Sequence, residues 1–261
     1  VPMIRAFSLA IALTLGTAGL VRAEIGIQEV TSPGGIDAWL VEDHSIPFTA
    51  LEIRFEGGTG LDDPDRLGAV NLMTGLLEEG AGEVDARAFQ AAREDLAASF
   101  SFDVGADTLS VSARMLTENR EAAVDLLRAA LVEPRFDPVA TERVRGQVLS
   151  ILAQEAQNPR RIAGRAFYEA AFGDHPYGRP DNGTPESVAA LTRADLLAAH
   201  EAALTGGRPL TSIFFGGGTP SLMPPVLVAD LIAAASGQRI SGLALVFCRD
   251  SPATVLRKVP A

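Results

Sequence analysis

The sequence predicts an α+β fold in which an antiparallel-rich sheet packs against helices. Two observations carry that prediction. Segments of alternating apolar and polar residues come in groups, near the N-terminus and again at 99–116, instead of alternating singly with helices as in a doubly wound parallel sheet. Long stretches with apolar residues at helical spacing follow each group. A chain of 261 residues, 47 % hydrophobic and 21 % charged, has a globular composition and the length to bury a sizeable core.

The elements follow in order. Residues 1–23 read as a secretory leader: Met3-Ile4-Arg5 gives a positive start, residues 6–20 are almost wholly apolar, and Val21 and Ala23 place small residues where a signal peptidase reads, with cleavage expected after Ala23. The apolar run is shorter than the roughly 20 residues of a membrane-spanning helix, so no stable membrane insertion is expected after cleavage. Val1-Pro2 ahead of Met3 reads as lying upstream of the natural start. Residues 24–30 and 36–41 are expected as strands around the turn Ser32-Pro33-Gly34-Gly35, and 50–58 as a third strand. A helix is expected over 68–80, with Ala69, Leu72, Met73, Leu76 and Leu77 as its buried stripe and Asn71, Thr74, Gly75 and Glu78 on the opposite face. Helices are also expected over 84–99 with Asp85 as cap, from Thr117 to Pro134, over 138–155 and over 160–172; 99–116 reads as two strands around Gly105-Ala106-Asp107.

Charge and residue counts exclude several function classes. A net charge of −11 disfavours nucleic acid, whose phosphates it would repel. Cys248 is the only cysteine, so neither an intrachain disulfide nor a CxxC metal site can form. His44, His175 and His200 stand far apart and form no i, i+4 pair; each reads as a surface or satisfied-core residue.

Three stretches, in order, carry a resemblance: "EGGTGLDDPDRLGAVNLMTGLLEEGAG", "LAASFSFDVGADTLSVSARML" and "FGDHPYGRPDNGTPESVAALTRADLLAAH". Together they resemble the insulinase/pitrilysin-like metallopeptidases, whose zinc motif is H-x-x-E-H on a helix. The likeness spans residues 24–204, about one lobe of a family built from two similar lobes, and implies a single peptidase-like lobe. By resemblance the positions that carry His, Glu and His in active members are Asn71, Thr74 and Gly75, and the third ligand falls near Ser150 and Ile151. Two imidazoles one turn apart bind zinc and the carboxylate takes a proton from the bound water, chemistry that Asn, Thr and Gly do not supply. Glu78 and Glu79 are carboxylates near that spot that would suit a hard cation at best.

The composition shifts near Leu204. From residue 206 onward five basic residues (Arg208, Arg239, Arg249, Arg257 and Lys258) face only Asp230 and Asp250. Residues 209–235 resemble the glycine-rich segment of coproporphyrinogen oxidase-like radical S-adenosylmethionine proteins, although no three-cysteine cluster motif precedes it. Residues 205–261 are therefore expected to be a foreign or frameshifted tail, which could supply one strand at 211–215.

The resemblance implies a non-catalytic, zinc-less subunit, without cofactor, that works in the periplasm or is secreted. It would pair with a zinc-bearing homologous subunit and bind extended peptide along a sheet edge, with Ser99, Phe100, Ser101, Phe102, Asp103 and Val104 as candidate contacts. The alternatives are an active zinc metalloendopeptidase with atypical ligands and a radical-enzyme fragment represented by the tail.

Overall fold

The computed structural model describes residues 27–31, 37–41, 47–205, 210–216 and 243–245. The expected leader, the turn at 32–35 and most of the expected tail lie outside the described residues. The fold is α+β. The strands are β1 (Ile27–Thr31), β2 (Asp37–Val41), β3 (Phe48–Glu56), β4 (Gly80–Ala81), β5 (Val84–Asp85), β6 (Ser99–Val104), β7 (Thr108–Leu116), β8 (Leu210–Gly216) and β9 (Leu243–Leu245). The helices are α1 (Ala69–Thr74), α2 (Ala86–Asp95), α3 (Arg120–Val132), α4 (Pro138–Glu155), α5 (Pro159–Phe172), α6 (Pro185–Ala190) and α7 (Arg193–His200).

Seven strands form one sheet in the order β1-β2-β9-β8-β3-β7-β6, and β4 and β5 make a separate two-stranded ribbon. β3 and β7 run antiparallel over their full lengths, from Phe48 opposite Leu116 to Glu56 opposite Thr108. Alternation decides which face is buried: Leu51, Ile53 and Phe55 of β3 and Leu109, Val111, Ala113 and Met115 of β7 point into the core. The intervening Glu52, Arg54, Ser112 and Arg114 stay partly or fully exposed on the other face. β8 pairs antiparallel with β3 and parallel with β2, so residues beyond the composition shift lie in the middle of the sheet. β6 ends the order, and among the described residues nothing pairs with its outer edge.

Helices cover the apolar face. Leu72 and Met73 of α1, Phe89 of α2, Val124 and Leu127 of α3, Val144 and Val148 of α4, and Leu196 of α7 join the sheet residues in one core. α2 begins where Asp85 accepts a hydrogen bond from the Ala88 amide at 2.9 Å, and α6 and α7 open with reciprocal capping boxes at Thr184/Ser187 and Thr192/Asp195. Among the described residues no helix is long and apolar enough to cross a membrane.

The structure moves several expected boundaries: the strand expected at 50–58 runs over Phe48–Glu56, the helix expected from Thr117 starts at Arg120, and two shifts bear on the site. The helix expected over 68–80 stops at Thr74, with Gly75 as its C-cap, and turns carry the chain to β4; Leu76 and Leu77 are buried from those turns, not from a continued helix. The helix expected from residue 84 begins at Ala86, because Val84 and Asp85 pair with Ala81 and Gly80.

Candidate functional site

Asn71 and Thr74, two of the positions that the resemblance sets against the zinc motif, sit on α1, with Gly75 as its C-cap, and α1 packs against β6. The start of α1 is set from a distance. Gly68 has φ +86, and a Cβ there would lie 2.7 Å from the Asn182 carbonyl oxygen, so only glycine fits the approach. The buried Asp62 carboxylate then accepts hydrogen bonds from the amides of Gly68 (2.7 Å) and Val70 (2.9 Å), capping α1 from six and eight residues upstream.

Of the stripe expected from the spacing, Gly75 is exposed and Asn71 and Glu78 are half-buried, while Thr74 lies inside the core. Asn71 is half-buried and Thr74 is only 2 % exposed, its hydroxyl donating to the Val70 carbonyl at 2.7 Å. That bond closes one helical turn on itself and satisfies the hydroxyl inside the core. Gly75 has no side chain, and a Cβ there would lie 3.2 Å from Cγ1 of Val144 on α4. Ser150 and Ile151 are exposed on α4, and the Ser150 hydroxyl donates back to the Gly146 carbonyl at 2.8 Å.

The nearby carboxylates Glu78 and Glu79 are already engaged by arginines. Glu78 pairs with Arg93 of α2 and Glu79 with Arg143 of α4. Burial raises the Glu78 carboxyl above its ordinary range against the pull of Arg93. Glu155, at the end of α4, accepts from Asn182 Nδ2 at 3.3 Å and lies 3.5 Å from Arg161. Zinc needs nitrogen, sulfur or carboxylate donors converging on one point. The residues present do not fit it: the motif positions offer an amide, a hydroxyl already donating to the backbone and no side chain. Among the described residues no group of three or more His, Cys, Asp or Glu side chains could hold a metal ion.

The six residues 99–104 fall together on β6. Ser99, Ser101 and Asp103 are exposed, and the Ser101 hydroxyl donates to Asp103 at 2.8 Å. Phe100 is buried against Phe89, ring centres 6.3 Å apart, and Phe102 and Val104 are half-buried. The strand is thus fixed by one face while its outer backbone edge has no partner among the described residues. The structure brings α1 and this strand side by side.

A cleft of about 420 Å³, which Ala69 and Val70 of α1 line but the motif positions do not, lies between Leu61, Asp62, Asp65 and Arg66 on one side and Asp195 and Ala199 of α7 on the other. The Arg66–Asp195 ion pair, at 2.9 Å, bridges it. Burial pushes the Asp62 carboxyl up to about 6 even though two amides donate to it. Sequence reasoning missed Asp62. Its only signal was an acidic residue a few positions ahead of a glycine that opens a helix.

Comparison with known proteins decides the family: the sequence pattern described as Insulinase (Peptidase family M16) matches residues 38–184. The chain belongs to that family. This insulinase-family chain is 29 % identical over 155 residues to a Helicobacter pylori protein named non-peptidase homolog YmxG, covering 59 % of this chain and 36 % of that protein. It is 28 % identical over 190 residues to an uncharacterized zinc protease, ML0855, of Mycobacterium leprae, covering 72 % and 42 %. Among solved structures it resembles one described as the peptidase M16 inactive domain from Pseudomonas fluorescens, with TM-score 0.72 and 26 % identity over 86 % of this chain and 53 % of that one. The insulinase-family chain therefore spans less than half the length of these two sequence relatives and about half of that solved structure.

Proposed function

We propose that this chain is a non-catalytic, peptide-binding lobe that works outside the cytoplasm beside a zinc-bearing homologous subunit. One observation carries the reading. On a lobe folded as in its family, the positions that would hold zinc present an amide, a hydroxyl tied to Val70 and a bare glycine packed near Val144. No group there can ionise to take a proton from a metal-bound water. The names of two similar proteins, a non-peptidase homolog and an inactive domain, are consistent with a family branch of this kind. The open edge of β6 supports the peptide role: its free amides and carbonyls can pair with an extended segment as an added strand, while Phe100, held against Phe89, keeps the edge in place. The leader-like pattern of residues 1–23 supports the location.

The test uses the full chain alone, with zinc content, cleavage of a fluorogenic peptide mixture and peptide binding by fluorescence anisotropy. The expected result is zinc well below one equivalent, no chelator-sensitive cleavage, and saturable binding that weakens about tenfold when alternate peptide amides are N-methylated. One equivalent of zinc with chelator-sensitive cleavage overturns the non-catalytic assignment. Equal binding of the methylated peptide overturns the edge-pairing mode.

A further inference from the structure

α5 breaks the pattern of the other long helices. α3 and α4 bury apolar stripes, whereas none of the residues of α5 is buried. Its exposed surface is nonetheless organised. Arg161, Arg165, Tyr168 and Phe172 recur at i, i+4, i+7 and i+11, which places them in one stripe along the helix. Phe167 is 66 % exposed, Tyr168 53 % and Phe172 41 %.

The aromatic end is preorganised. Tyr168 stacks on Phe172, centres 5.8 Å apart and planes 17° from parallel, and Phe172 meets the edge of Tyr177 at 5.5 Å. The Tyr177 hydroxyl donates to the Asp107 carboxylate, its oxygen 2.9 and 2.8 Å from the two carboxylate oxygens. The ladder is thereby anchored to the turn that follows β6. Rings fixed in this way lose little entropy on binding.

The other end is basic. Arg160 and Arg165 have no ion-pair partner among the described residues, and Arg161 makes only the 3.5 Å contact with Glu155. Cations in the first turns of a helix run against its dipole, so these arginines do not stabilise α5 by their position. In a chain of net charge −11, three arginines here stand against two carboxylates, Glu155 beside Arg161 and Glu169 one turn past Arg165, which leaves this end of the helix net positive. At physiological salt a charge is felt over about 8 Å, so a ligand on this stripe meets the three arginines together with Glu155 and Glu169, and not the acidic surface farther away.

We infer that the stripe Arg161–Arg165–Tyr168–Phe172 is a docking ridge for an extended, acidic segment of a partner protein that carries aromatic or aliphatic side chains next to its carboxylates. The inference goes beyond the proposed function and needs no peptide on β6. Charge complementarity names the occupant: carboxylates pair with the guanidinium groups, and apolar side chains cover the exposed rings. The eleven-residue spacing from Arg161 to Phe172 spans about 16 Å along the helix, the length of about five residues of extended chain. The chain's own tail is a poor occupant, because from residue 206 it carries five basic residues against two acidic.

The test measures binding of a fluorescein-labelled peptide, Glu-Glu-Leu-Phe repeated twice, to the full chain, beside its counterpart with Lys for Glu. Sedimentation velocity and flotation with phosphatidylglycerol vesicles are run on the same protein. Saturable binding of the Glu peptide is expected, with the Lys peptide at least about tenfold weaker. R161E/R165E is expected to reverse that preference, and Y168A/F172A to weaken both peptides without reversing it. Unchanged far-UV circular dichroism is expected for both variants because all four side chains are exposed, and R165E alone should shift the preference in the same direction. Equal binding of the two peptides overturns the inference. So does self-association abolished by Y168A/F172A, which would make a second copy the occupant, or vesicle binding that needs Arg161 and Arg165.

Discussion

Rebuilding the zinc motif with N71H/T74E/G75H is expected to damage the fold and not to create a metal site. Thr74 is 2 % exposed, so T74E loses its hydrogen bond to Val70 (about 1 kcal/mol) and buries a carboxylate without a partner (about 1–3 kcal/mol). Gly75 is exposed, so an imidazole there can turn to solvent, and the Cβ placed 3.2 Å from Val144 Cγ1 adds at most about 1 kcal/mol. Gly75 has φ −66, which histidine adopts easily, so about 0.4–1 kcal/mol returns through the less flexible unfolded chain. The net loss is about 1–5 kcal/mol, most of it from position 74, set against the roughly 5–15 kcal/mol that holds a domain together. Urea unfolding followed by circular dichroism, with zinc content after equilibrium dialysis, measures both consequences. V144A empties part of the core at a cost of its own. The share due to position 75 is therefore read as the coupling between G75H and V144A in a double-mutant cycle, and the share due to position 74 from T74E alone. A triple variant as stable as the parent within about 1 kcal/mol and holding one equivalent of zinc would refute the argument that α1 is packed against its own motif.

Other outcomes can be read from the same unfolding assay. R145M should cost about 2–4 kcal/mol, because the buried Arg145 guanidinium donates to the carbonyls of Val188 and Leu191 at the end of α6 and methionine leaves both without a donor. Asp62 and His200 should move stability in opposite directions with pH. Asp62 is raised from 3.8 to about 6 in the fold, so between those values the folded chain holds a proton that the unfolded chain has lost; stability rises as pH falls through that window, and D62N removes the rise. His200 is lowered from 6.5 by burial, its Nε2 lying 2.8 Å from the Leu131 carbonyl oxygen and so carrying the proton of a neutral ring. The unfolded chain binds a proton first as pH falls below 6.5, so stability declines there, and H200L removes that decline. Thermal melts of parent, D62N and H200L from about pH 7 to about pH 4 separate the two effects.

Local chemistry was legible in the sequence. The helix at 138–155 appears with those bounds because Pro138 starts it and an apolar stripe at i, i+4 and i+8 (Ala140, Val144, Val148) holds its buried face. Asp85 caps the next helix because a cap acts within one turn, and the hairpin at 99–116 follows from alternation and its Gly105 turn. The site was less legible, because periodicity places Thr74 opposite the leucines of a single helix whereas burial depends on what covers that opposite side. The end of α1 at Gly75 escaped for a related reason: the residues beyond it keep helical spacing although they pack from turns. Asp62 caps α1 from six and eight residues upstream, beyond the one-turn reach of an ordinary cap, and Arg145 acts across 43 and 46 residues, beyond any window of local sequence.

The sequence by itself determined the α+β class, the family likeness and the poor zinc-binding chemistry of Asn71, Thr74 and Gly75, since residue identity alone settles whether a side chain can bind a cation. Tertiary structure decided what replaced that chemistry. Only in the folded chain do Glu78 and Glu79 meet Arg93 and Arg143, does Val144 sit against Gly75, and does β6 take the outer place in the sheet. It also left the stripe of α5 uncovered, because the same i, i+4 spacing that buries one helix exposes another, and the choice belongs to the surface packed against it.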